Sequence, residues 1–193
     1  MEEMKRDKRY TYADYETWDT DERYELIRGI PYLLYSPDPA MMAPAPTPEH
    51  QSISGELFRQ LANFLHGKPC KVYSAPLDVR LSDGSHDDTV VQPDLIVVCD
   101  KSKLDGKHCD GAPDMIVEIL SPSTAGRDHI VKYKLYLASG VREYWIIDPN
   151  TKTVMIHILE GGKYQTSTHE AADTVPVRVL DGCSINLADV FAE

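Results

Sequence analysis

The chain has 193 residues, of which 42% are hydrophobic and 26% charged, a length for one domain and an ordinary globular balance. Its 20 Lys and Arg stand against 31 Asp and Glu, a net charge of −11, which excludes a protein that binds nucleic acid through a uniformly basic surface but not a nuclease with a local basic site. No apolar run approaches the ~20 residues of a membrane-spanning helix, and the composition also excludes collagen, coiled coil and full disorder.

Residues 1–10 are charged throughout and read as a mobile tail, with no apolar stretch after them of the kind an export signal needs. Residues 11–193 then form a single domain. Thr11–Asp19 reads as a short helix. Tyr24–Ile27 and Ile30–Tyr35 flank Arg28-Gly29 as a hairpin. Ser36–Pro48 is too rich in proline for helix or central strand and must be a loop. Thr47-Pro48-Glu49 opens a helix whose apolar face is Ile53, Leu57, Leu61 and Phe64-Leu65, and Gly67 and Pro69 end it.

Lys71–Ser74 and Leu77–Leu81 read as strands, and Asp83–Asp88 as a polar turn. Val90–Val98 and Met115–Leu120 have the Val, Ile and Leu content of central strands, with a charged loop at Asp100–Pro113 between them. Arg127–Ser139 reads as a second long helix closed by Gly140, and Glu143–Ile147 as another strand. Val154–Leu159 and Lys163–Thr168 flank Gly161-Gly162 as a hairpin, and Leu187–Phe191 forms a last helical turn. Helices on a mixed central sheet make an α/β (α+β) domain. Cys70, Cys99, Cys109 and Cys183 show no CxxC pair and read as reduced thiols of a cytoplasmic protein.

The chemistry concentrates in three places. Glu118 interrupts the apolar run Met115–Leu120, and a carboxylate there must be paired, protonated or bound to metal. It is either a strand-end carboxylate facing an arginine, or a metal ligand or catalytic acid. Asp94, after Pro93, opens a second apolar strand 24 residues earlier. Two carboxylates on neighbouring strands form a hard oxygen site suited to Mg²⁺ or Mn²⁺. Asp128 and Lys132 share a helix face, as a surface ion pair or as a lysine brought beside a metal. Their stretch, Arg127–Arg142, carries four cations against one carboxylate.

An ordered set of residues carries a resemblance. It comprises Tyr24-Glu25-Leu26, the proline loop ending near His50, Pro93-Asp94-Leu95, Val117-Glu118-Ile119-Leu120-Ser121-Pro122-Ser123-Thr124, Asp128 with Lys132, and Gly140-Val141-Arg142-Glu143-Tyr144-Trp145-Ile146-Ile147-Asp148-Pro149. Over roughly residues 12–159 the chain resembles the bacterial restriction endonuclease family within the PD-(D/E)xK nuclease superfamily. The resemblance implies a restriction-endonuclease-like mixed sheet flanked by helices. It also implies Asp94, Glu118 and the backbone carbonyl of Ile119 as ligands of Mg²⁺ or Mn²⁺, with Glu25 as a further carboxylate at the metal's edge. The superfamily lysine, expected two residues after Glu118, is Leu120 here. Lys132 on the following helix matches the replacement, with Lys134 in reserve. Two helical residues differ by about 200°, so both cannot face one site. His50, Gln92 and Asp128 are accessory candidates, His50 equally as a structural helix-start residue.

The expected function is a divalent-metal-dependent nuclease that hydrolyses DNA phosphodiester bonds, most simply as a homodimer, since duplex cleavage cuts two strands. Two rivals remain: a catalytically inactive nuclease-fold protein that binds nucleic acid or a partner, and a two-carboxylate glycoside hydrolase.

Overall fold

The computed structural model describes residues 8–38, 46–81, 86–121 and 128–192, without the side chains of Asp128 and His129. Residues 82–85 of the expected polar turn fall outside it, as do residues 39–45 of the proline loop. In chain order the elements are α1 (Tyr12–Tyr15), β1 (Arg23–Ile27), β2 (Ile30–Tyr35), α2 (Pro48–Leu65), β3 (Lys71–Ser74), β4 (Val79–Arg80), β5 (Val90–Val91) and β6 (Leu95–Val98). A 3-10 turn at Lys101–Lys103 follows, then β7 (Cys109–Asp110), β8 (Met115–Ile119), α3 (Asp128–Ser139), β9 (Glu143–Asp148), β10 (Thr153–Glu160), β11 (Lys163–Glu170), β12 (Thr174–Pro176), β13 (Ser184–Asn186) and α4 (Leu187–Val190).

The strands form a six-stranded sheet ordered β11-β10-β9-β8-β6-β3, a five-stranded sheet ordered β2-β1-β5-β4-β7, and a β12-β13 pair. The large sheet is mixed: β8 and β9 run parallel, while β6-β8, β3-β6 and the two pairs of β10 are antiparallel. The expected α+β architecture is therefore the observed one.

The largest departure lies at Val90–Val98, expected as one strand. Proline has no N–H to give a ladder, and at Pro93 the chain leaves one sheet for the other. β5 pairs with β1 and β4, whereas β6 pairs with β3 and β8. Asp94 sits at this crossing.

The tail also ends earlier than expected. Tyr10 is buried, its N–H donates to the Gly29 carbonyl, and its ring meets Trp18 edge-on. Arg28 and Gly29 both have positive φ, 50° and 75°, the pattern of a tight hairpin turn. A Cβ on Gly29 would come within 3.1 Å of the Tyr10 carbonyl oxygen, so the close approach of residues 9–10 requires glycine there.

Helix α2 starts where Thr47 caps it, accepting from the His50 N–H at 3.2 Å. Its buried face, Ile53, Leu57, Leu61 and Leu65, packs with β6, β8, β9 and the C-terminal segment in one core cluster. On the other face of the large sheet, Leu135 and Tyr136 of α3 join a second cluster with Ile96, Ile116, Tyr144 and Ile146. Glu143, fully buried at the start of β9, accepts from Trp145 Nε1 at 2.7 Å and from the Val179 N–H at 2.8 Å, tying the C-terminal segment to the sheet.

Cys70 and Cys99, expected as thiols, form a disulfide, while Cys109 and Cys183 are free and buried. Each bridged cysteine lies one residue beyond the paired ends Lys71 and Val98 of β3 and β6, so antiparallel register brings the two together. Cytosolic disulfides are rare, so this bond and the cytoplasmic expectation pull against each other. Among the described residues, no helix is long and apolar enough to cross a membrane.

Candidate active site at the seam of two sheets

A cleft of about 540 Å³ opens where the two sheets meet, and Glu25, His50, Gln92, Asp94, Glu118, Ile119 and Lys132 line it. Five elements deliver them. β1 brings Glu25, the first turn of α2 brings His50, and the crossing after β5 brings Gln92 and Asp94. The end of β8 brings Glu118 and Ile119, and α3 brings Lys132.

Lys132 is the centre of the charge arrangement. Its Nζ lies 2.9 Å from Glu25 Oε1 and 2.9 Å from Glu118 Oε1. All three side chains are largely buried, 12%, 5% and 14% exposed. The partner of Glu118 is thus a lysine, not the arginine considered from the sequence. Burial alone would lower the Lys132 pKa, but the carboxylates of Glu118 and Glu25 more than offset it and hold its ammonium above the ordinary lysine value. Burial pushes Glu118 up to about 7, with Lys132 opposing and Glu25 and Asp94 adding to the rise. The Tyr136 hydroxyl donates to the same Glu118 oxygen at 2.6 Å. Tyr136 was not foreseen as a site residue, although it lies four positions after Lys132 on the same helix face, a spacing that could have revealed it.

Asp94 is held at both oxygens. Oδ2 accepts from the Ile119 N–H at 2.7 Å, and Oδ1 faces His50 Nε2 at 3.3 Å. The hydrogen bond to Asp94 raises the His50 pKa against the effect of burial, and the charges of Asp94 and Glu118 and the Ile119 backbone raise it further. His50 thus faces Asp94 in the cleft as well as standing in the capped first turn. Glu25 Oε1 accepts from the Gln92 backbone N–H at 3.0 Å.

Lys134 is exposed and does not line the cleft, as the helical angle required. The side chain of Asp128 lies outside the described residues, so its expected pairing with Lys132 does too. The basic stretch is less free than its sequence implies, because Lys132 is neutralised by carboxylates and Arg142 pairs with Asp114 at 2.9 Å.

Among the described residues, no group of three or more His, Cys, Asp or Glu is placed to hold a metal ion. The cleft instead presents the two carboxylates of Asp94 and Glu118, in a lining that also includes Gln92 and Ile119. Mg²⁺ commonly takes only one or two carboxylates from a protein. Lys132 and Tyr136 both use Oε1 of Glu118. The residues fit a hard divalent cation.

Comparison with known proteins agrees with this reading of the fold. The model of the Uma2 family, described as "Putative restriction endonuclease", matches residues 12–188. An uncharacterized protein of Synechocystis, slr1290, is 24% identical over 133 residues, covering 68% of each chain. The crystal structure of a putative nuclease of the DUF820 family from Anabaena variabilis superposes with a TM-score of 0.73 at 20% identity, covering 95% of this chain and 98% of that one.

Proposed function

Since the chain belongs to the Uma2 family of restriction-endonuclease-like proteins, we propose that it is a divalent-metal-dependent nuclease hydrolysing DNA phosphodiester bonds. The observation that carries this reading is the position of Lys132 Nζ, equidistant from Glu25 and Glu118 in the cleft that Asp94 lines. A lysine from a distant helix there supplies the cation missing at Leu120.

Asp94, Glu118 and the Ile119 carbonyl would hold Mg²⁺ or Mn²⁺, which supplies Lewis-acid polarisation of the phosphate and a lowered pKa for water. The remaining work belongs to the chain. The Ile119 N–H and His50 fix the orientation of Asp94. Lys132 and Tyr136 fix Glu118. The Lys132 ammonium, kept charged by two carboxylates, stands ready to stabilise the negative charge that develops on the phosphate as water adds and the ester oxygen leaves. Glu25 shares the lysine charge and holds it at the cleft. Cutting both strands of a duplex brings two such centres together, so a homodimer is part of this proposal.

The test is nicking of supercoiled plasmid with Mg²⁺, Mn²⁺ or EDTA by wild type, Asp94→Ala and Glu118→Ala. Metal-dependent nicking by wild type that both variants lose is the expected result. Inertness of wild type across varied DNA substrates favours the inactive binding-protein alternative, and cleavage that survives both substitutions removes these residues from the chemistry.

A further inference from the structure

Among the described residues, two buried side-chain atoms without a hydrogen-bond partner, Gln92 Oε1 and His50 Nδ1, belong to residues of this one cleft. Folded proteins leave few such atoms, and each asks for a reason. For Gln92 the reason is visible behind the cleft. Asp78 accepts from Gln92 Nε2 at 2.8 Å, and the Tyr15 hydroxyl donates to both Asp78 oxygens at 3.2 Å. A carboxylate facing the amide fixes which end is nitrogen, because the reverse orientation would set oxygen against oxygen. The Gln92 oxygen is therefore turned away from Asp78, buried and unpartnered, two residues before Asp94. Tyr15 and Asp78 hold it there at the cost of leaving a buried acceptor unsatisfied.

We infer that Gln92 is a positioning residue for the cation: its Oε1, oriented by Asp78 and Tyr15, supplies a neutral side-chain oxygen beside the carboxylates of Asp94 and Glu118. This rests on the metal-dependent reading above. Amide oxygens are ordinary partners of hard divalent cations. A neutral one adds an oxygen without adding charge to a site where Glu25, Asp94 and Glu118 already repel one another. Substituting the side chain leaves the Gln92 backbone N–H on Glu25 in place, so the two contributions of this residue are separable.

The experiment is titration of the 193-residue protein with Mn²⁺ alone, following free Mn²⁺ by electron paramagnetic resonance and the melting temperature of the metal-free protein in parallel. Three proteins are compared: wild type, Gln92→Leu, and the exchange variant Gln92→Glu with Asp78→Asn. The exchange reverses donor and acceptor in the buried hydrogen bond, keeps the net charge and returns an oxygen to the cleft. Gln92→Leu should bind Mn²⁺ on the order of 10-fold more weakly, with any fall in melting temperature from the lost donor to Asp78 read on the metal-free protein. The exchange variant should recover wild-type affinity or exceed it. Equal affinities of wild type and Gln92→Leu overturn the inference while leaving the metal reading intact. An exchange variant that folds but binds as weakly as Gln92→Leu also overturns it, since the oxygen is then restored without effect. Wild type that binds no Mn²⁺ overturns the metal reading, and this inference with it.

Discussion

At Lys132, one ammonium balances two buried carboxylates, and its removal isolates the effect. Lys132→Met keeps the length and apolar stem of the side chain but leaves Glu25 and Glu118 facing each other. Breaking a buried ion pair from one side costs about 3–5 kcal/mol. That loss should appear in urea unfolding at pH 8 and shrink at pH 5, where Glu118, already pushed up to about 7, takes up a proton. A loss that is the same at both pH values would mean that the lysine acts through packing instead. Most of this cluster was legible from residue types. Glu118 was out of place in an apolar strand, and Asp94 and Lys132 stood at family positions. Tyr136 left only the faint signal of its spacing from Lys132, and Asp78 was not legible, because an aspartate beside a strand carries no signal until the fold shows what it touches.

At the scale of the element, apolar spacing and turn residues placed the long segments and several four-residue ones, and missed some strands of two or three residues. α2, β2, β3, β8, β10 and β11 lie close to where their apolar spacing and turn residues put them. β12 and β13, three residues each, and the split of β5 from β6 were not foreseen, since so short a run cannot display a period and pairing partners are a tertiary choice. β9 offers a test of how an element is anchored. Burial raises the pKa of Glu143 above the ordinary glutamate value, against the hydrogen bonds from Val179 and Trp145 and a further contribution from Arg178. A carboxyl raised in the folded state binds protons more tightly there than in the unfolded chain. Its contribution is full below the ordinary glutamate pKa and is lost as pH climbs through the raised value. Glu143→Gln removes this loss, so stability measured by urea unfolding from pH 4.5 upward should decline less steeply in the variant. The variant should also be destabilised throughout by about 1–3 kcal/mol, because one amide oxygen replaces two carboxylate acceptors for the N–H groups of Trp145 and Val179.

For the molecule as a whole, a net charge of −11 opposes a polyanion, and the one basic stretch spends two of its cations on internal pairs. Binding of DNA should therefore be weak in EDTA and strengthen with Ca²⁺, which occupies oxygen sites. Fluorescence anisotropy of a labelled duplex with Asp94→Ala as control checks this, and a Ca²⁺ gain preserved in that variant would place the cation elsewhere. The crossing at Pro93-Asp94 has one more consequence. Asp94 and Glu118 adjoin Leu95 and Val117, which are partners in one ladder of the large sheet, whereas Glu25 lies on β1 and Gln92 follows β5 of the other sheet, so no single ladder sets the spacing of all four. A bound ion would act as a rivet across the joint, and its grip and the alignment of the two ladders become one cooperative quantity. A substitution in a remote core that lets the ladders shear would then loosen the ion without touching a ligand.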